Sequence, residues 1–75
     1  MKTRSLDVRG LEAPEPLERI LGALESLPGD GRLEVIHWRE PLLLYPILEE
    51  GGWRHKTEYN EQDRTYLISI WKDGQ

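Results

Sequence analysis

Leu6-Asp7-Val8-Arg9-Gly10-Leu11-Glu12-Ala13-Pro14-Glu15-Pro16 is the stretch whose reading decides the fold. Polar and apolar residues alternate over 4–9, which predicts a short strand with Leu6 and Val8 on one face. Gly10 ends it, and residues 11–14 form a loop. Pro14 and Pro16 then open a helix. Proline suits a first helical turn because the N–H it lacks has no intrahelical partner there. Glu15 and Glu18 fall near the positive end of the helix dipole, where carboxylates are stabilising.

Downstream, Leu17, Ile20, Leu21, Leu24 and Leu27 recur at helical spacing, and Glu18, Arg19, Glu25 and Ser26 take the opposite side. Pro28, Gly29, Asp30 and Gly31 stop the helix. Residues 32–38 read as a second strand, with Leu33, Val35 and His37 on one face and Glu34, Ile36 and Trp38 on the other. After Pro41, the apolar run 42–50 predicts a second helix. Pro46 requires that helix either to start near Tyr45 or to bend. Gly51 and Gly52 end it. Two more strands, over 53–60 and 65–71, are joined by a hairpin loop at 60–63. The chain end, residues 72–75 and at the widest 71–75, reads as a frayed tail.

The order is β-α-β-α-β-β in one domain over residues 1–75. It is expected as an α+β two-layer sandwich, with a right-handed first crossover and both apolar helix stripes on one face of one sheet. A chain of 75 residues has little core to spare. With no cysteine, it can build no disulfide, no thiolate metal site and no thiol nucleophile. Fourteen acidic residues against ten basic ones give a net charge of −4, and Lys and Arg form no long run. Nucleic acid is therefore not an expected partner. No stretch reads as a signal peptide or a bilayer span, so no membrane partner and a cytoplasmic location are expected.

The opening stretch resembles the start of TusA-like (SirA-like) proteins. In those, a leucine–aspartate strand leads through Gly-Leu to a Cys-Pro-x-Pro motif at the helix start. The Leu33-Glu34-Val35 strand followed by Glu40-Pro41 fits as well. Arg39-Glu40-Pro41 and Leu44-Tyr45-Pro46 are similar to the pattern of a branch of unknown function within that superfamily. The resemblance implies a mixed four-stranded sheet in the order 1-2-4-3, with strand 4 antiparallel to the rest. It also implies an association with redox or metal-handling domains. Ala13 stands where the sulfur carriers have their cysteine. A methyl group has no nucleophile, so persulfide transfer by this chain is excluded chemically.

Two surfaces are candidates for function. In the resembling fold the loop 9–16 and the turn 37–41 lie at one end of the sheet. Arg9, Gly10, Pro14, Pro16, His37, Arg39 and Glu40 are therefore candidate ligand-binding residues, and the free helix N–H groups could receive an anion. The plainer reading is that the prolines and Gly10 shape turns while Arg39 and Glu40 pair with other charges. The second surface is the open face of the sheet. There Ile36, Trp38, Leu67 and Trp71 would form an apolar patch suited to a homodimer or a protein partner, unless the stems of Arg54, Lys56 and Glu58 cover it.

His37 and His55, with no obvious third ligand, are a weak signal for a metal or haem; His37 reads instead as a hydrogen-bonded residue at a strand end, and neither a metal nor a cofactor is expected. No Ser sits in a nucleophile motif, and no Gly-rich phosphate loop is present. The sequence thus favours a non-catalytic protein-interaction or small-ligand-binding module. The alternative is an enzyme or accessory factor in sulfur, metal or nitrogen-oxide metabolism, working through residues 37–40.

Overall fold

The computed structural model describes residues 2–72. Six elements follow in the order β1 (Lys2–Asp7), α1 (Glu15–Glu25), β2 (Gly31–His37), α2 (Leu44–Glu50), β3 (Trp53–Asn60) and β4 (Thr65–Lys72). The four strands form one mixed sheet in the order β1-β2-β4-β3. β1 lies parallel to β2, and β4 runs antiparallel to both β2 and β3. β1 and β3 are the sheet edges. Among the described residues no helix is long and apolar enough to cross a membrane.

The register fixes which residues share a face. Leu33 lies opposite Ile70 and Val35 opposite Ile68, and all four are buried. Leu6 of β1 pairs with Val35 on the same face. Ile20 and Leu24 of α1, together with Leu44 and Leu48 of α2, join them in one core cluster that Val8 and Leu27 complete. Both helices therefore cover the same side of the sheet, as the single apolar stripe on each requires.

Several boundaries move. β1 begins two residues before the alternating stretch, at Lys2. Lys2 and Thr3 are exposed, so no burial pattern marks them. Val8 follows the strand, yet its N–H still donates to the Ile36 carbonyl at 3.0 Å. The fraying expected at 71–72 is not found: Trp71 and Lys72 belong to β4. They pair with Arg32 and Trp53, because the long β3 gives them a ladder partner. The rest of the expected tail, 73–75, lies outside the described residues. Of the two readings of Pro46, the structure takes the first. The helix starts at Leu44, which places Pro46 in the opening turn, where its missing N–H costs no ladder bond.

Candidate functional site

The end of the sheet where β1 and β2 finish is built by two turns. At the first, Gly10 adopts a φ of +80°, a conformation that glycine reaches without steric penalty, and the chain doubles back toward α1. Asp7 holds this turn from outside. Its carboxylate accepts from the Arg9 backbone N–H at 3.0 Å, from Arg9 Nε at 2.9 Å and from Arg9 Nη2 at 2.7 Å. Those bonds to Arg9, side chain first and backbone second, bring the Asp7 carboxyl down from 3.8 to about 2. At the second turn Pro41 interrupts the backbone donors after β2. The Leu42 N–H folds back to Glu40 O at 2.9 Å and the Leu44 N–H to Pro41 O at 3.0 Å. This tight path leaves Leu42 and Leu43 pointing outward.

Between the two turns lies a cleft of about 610 Å³. Leu11, Ala13 and Pro14 line it from the first turn, and Pro16, Leu17 and Ile20 from α1. The opposite wall is His37, Trp38, Arg39, Glu40 and residues 41–44. Its lip is strongly apolar: Trp38 is 59 % exposed, Leu42 65 % and Leu43 80 %.

Six of the seven candidate ligand residues meet here: Gly10, Pro14, Pro16, His37, Arg39 and Glu40 all line the cleft. Arg9 does not, because Asp7 holds its guanidinium. The helix N-terminus is also a poorer anion receptor than its position promised. Pro14 and Pro16 have no N–H, the Glu15 N–H donates to Glu12 O at 2.9 Å, and that of Glu18 donates to Pro14 O. Glu12, Glu15 and Glu18 surround a second hollow beside it, with only Arg19 to offset them. Arg19 itself bonds Glu15 at 2.8 Å. An anion would meet carboxylates there instead of free donors.

Two of the four charged or titratable side chains of the cleft, His37 and Glu40, are committed. His37 Nδ1 accepts the Arg39 backbone N–H at 3.1 Å, which leaves the ring proton on Nε2. Burial, and then the Arg39 charge, lower the His37 pKa from its ordinary value, so the ring stays neutral. Glu40 accepts the Tyr45 hydroxyl at 3.0 Å, and that hydroxyl also meets Thr57 Oγ1 at 2.6 Å. The Tyr45 ring stacks on His55 with centroids 4.6 Å apart. His55 Nε2 in turn lies 3.6 Å from a Glu49 carboxylate oxygen. The turn, α2 and β3 are thereby tied together. Arg39 is exposed and makes no ion pair among the described residues.

The structure divides the proposed sheet-face patch. Ile36 and Leu67 are cross-strand neighbours on the open face, and Trp71 sits two positions along the same face of β4. All three are half-buried. The Arg32 guanidinium lies 4.5 Å from the Trp71 ring centroid, and Ser69, between Glu34 and Lys56, is buried. Side-chain stems therefore cover much of this face, with Arg32 the most direct cover. Trp38 leaves the patch. It follows the last residue of β2, its ring comes within 3.9 Å of where a Gly10 Cβ would sit, and it belongs to the cleft. Leu42 and Leu43 were the site residues that sequence reasoning missed. Their apolar character read as the start of α2, although Pro46, which allowed a helix starting near Tyr45, was a signal that they could precede it.

No group of three or more His, Asp or Glu side chains that could hold a metal ion occurs among the described residues. His37 and His55 belong to separate networks.

These features define a small cysteine-free α+β domain with an apolar cleft at the end of a mixed sheet. The chain belongs to the family of uncharacterized conserved proteins DUF2249, whose sequence pattern matches residues 5–72. No curated protein and no solved structure matches it.

Proposed function

We propose that this domain is a non-catalytic binding module. It sits on a TusA-like scaffold that has lost sulfur-carrier chemistry, and its working surface is the cleft between the 9–16 loop and the 37–44 segment. The observation that carries this reading is the contiguous lip of Trp38, Leu42 and Leu43, three large apolar side chains held more than half exposed over a hollow. A small domain gains nothing in stability from presenting them to water, and a patch of this kind marks a contact site. The missing thiol supports the non-catalytic part of the reading, since Ala13 offers no reactive atom at the helix start. Either an apolar ligand or apolar side chains of a partner suit the cleft. A cytoplasmic setting is consistent with a chain that has no disulfides to keep oxidised.

An enzyme or accessory factor working through residues 37–40 has weaker support. A general acid–base pair needs free groups, but His37 Nδ1 is occupied by a backbone N–H and Glu40 by a tyrosine hydroxyl.

The test is titration with N-phenyl-1-naphthylamine, an uncharged fluorescent apolar probe, followed by fluorescence and amide NMR shifts. Shifts concentrated at Leu11, Trp38, Leu42 and Leu43, and lost in the double variant Leu42→Ser, Leu43→Ser, are the expected result. Absence of binding, or shifts confined to the open sheet face, would remove the reading.

A further inference from the structure

We propose that the occupant of the cleft is a segment of a partner protein whose apolar side chains are flanked by lysine or arginine. This deepens the preceding reading and rests on it. The apolar half of the specification comes from Trp38, Leu42 and Leu43. The basic half comes from the charges around them. Glu12 and Glu40 line the cleft, and Glu18 stands with Glu12 in the adjoining hollow. Glu12 and Glu18 make no ion pair among the described residues, whereas Glu15 is neutralised by Arg19. Arg39 is the single cation among the cleft-lining residues, since His37 is held neutral and Arg9 is taken by Asp7. Three carboxylates against one guanidinium leave the rim acidic, in a chain that is itself acidic overall. Such a rim attracts cations and repels anions on approach.

The same charges argue against the two other occupants. A second copy of this chain docked through the same cleft would set one acidic rim against another, with one Arg39 from each copy to offset their carboxylates. A carboxylate-bearing amphiphile would seat its head group among carboxylates. A partner segment that alternates apolar and basic side chains places its hydrocarbon on the lip and its cations on Glu12 and Glu18. The exposed Trp38 ring can also receive a cation on its face.

The experiment uses three fluorescein-labelled amphipathic peptides of identical leucine pattern, with lysine, glutamine or glutamate at the polar positions. Binding is read by anisotropy, with the amide NMR spectrum locating the contact. The lysine peptide is expected to bind about ten-fold tighter than the glutamine peptide, the scale of one or two surface charge pairs. The glutamate peptide should be the weakest, and the spread should shrink as salt is raised. Leu42→Ser with Leu43→Ser should abolish binding. Glu12→Gln with Glu18→Gln should erase most of the lysine advantage, and Asp30→Asn, in the turn between α1 and β2, should leave it intact. All five positions are exposed, so folding is spared.

Equal affinity for the lysine and glutamine peptides, or an equal effect of Asp30→Asn, overturns the proposal while the apolar cleft stands. So does a concentration-dependent dimer in sedimentation that Leu43→Asp dissolves, since the cleft would then be filled by a second copy. If neither the peptides nor the uncharged naphthylamine probe binds, the cleft reading falls as well.

Discussion

Tyr45 shows how one side chain serves both fold and site. Its hydroxyl donates to Glu40 and meets Thr57, so the turn bearing the apolar lip is tied to β3 through a residue of α2. Burial raises the Tyr45 pKa, with the bond to Thr57 working against it, and the hydroxyl therefore keeps the proton that Glu40 needs. Tyr45→Phe should lower stability by about 1–2 kcal/mol. A urea titration should show this as a lower midpoint with an unchanged slope. Glu40→Gln keeps an acceptor for the hydroxyl and should cost less.

Asp7 gives a second expectation at this scale. Its carboxyl is held near 2 by side-chain and backbone bonds to Arg9, so Arg9→Gln, which removes only the guanidinium, should return it part of the way toward 3.8 in an NMR titration of the Asp7 side chain. A depressed acid stabilises the fold above its unfolded pKa and loses that contribution as pH falls through the folded value. The acid limb of wild-type unfolding should therefore extend below pH 3.8 toward 2, and in Arg9→Gln this contribution should shrink to the part that the residue-9 backbone N–H still supplies. His37 has the opposite charge type. Its lowered pKa favours the neutral ring in the fold, so this contribution is complete above the unfolded value of 6.5 and declines as pH drops below it.

Among the elements, α1 carries an avoidable weakness. Gly22 lies in the helix interior, and a Cβ built there meets nothing within 4 Å. Gly22→Ala should stabilise the domain by about 0.5–1 kcal/mol, since only backbone freedom of the unfolded chain is removed. Thermal melting should then rise by a few degrees. Gly31→Ala should do the reverse. Its Cβ would fall 2.9 Å from Leu27 Cγ and 3.0 Å from the Pro28 carbonyl oxygen, both fixed by the turn into β2.

The elements also show where sequence is informative. Period-two and helical patterns located every strand and both helices, because the core of a two-layer domain has one inside and one outside for each. The cleft was legible as a meeting of two loops, since Gly10, Pro14, Pro16 and Pro41 mark turns by their own geometry. Its lip was not legible. Leu42 and Leu43 have the composition of a buried helix start, and their outward direction is set by the fold-back of Leu42 N–H onto Glu40. Trp38 obeys the alternation of β2, yet it sits one residue past the strand, where its ring lies over the Gly10 turn. Patterning cannot see such a through-space approach. The pairing of Glu40 with Tyr45 was also hidden, although the two lie in the tripeptides, two residues apart, that the family resemblance singles out.

For the molecule as a whole, the strand order sets a hierarchy of opening. β2 and β4 are each paired on both sides, whereas β1 and β3 have one neighbour apiece. Native-state hydrogen exchange should be slowest for amides of Leu33, Val35, Ile68 and Ile70, and faster in β1 and β3. A uniform rate across all four strands would contradict the sheet order.

The outer rim of β1 has a further consequence. A strand bonded on one side offers a line of amide and carbonyl groups to any extended peptide, including another molecule of the same kind. Lys2 and Arg4 occupy that strand, and their solvated charges make stacking of copies along it unfavourable. Exchanging both for valine should therefore turn a well-behaved polypeptide into a seed for ribbon-like fibrils, visible as thioflavin fluorescence on prolonged incubation, even while the monomer's own fold is unharmed.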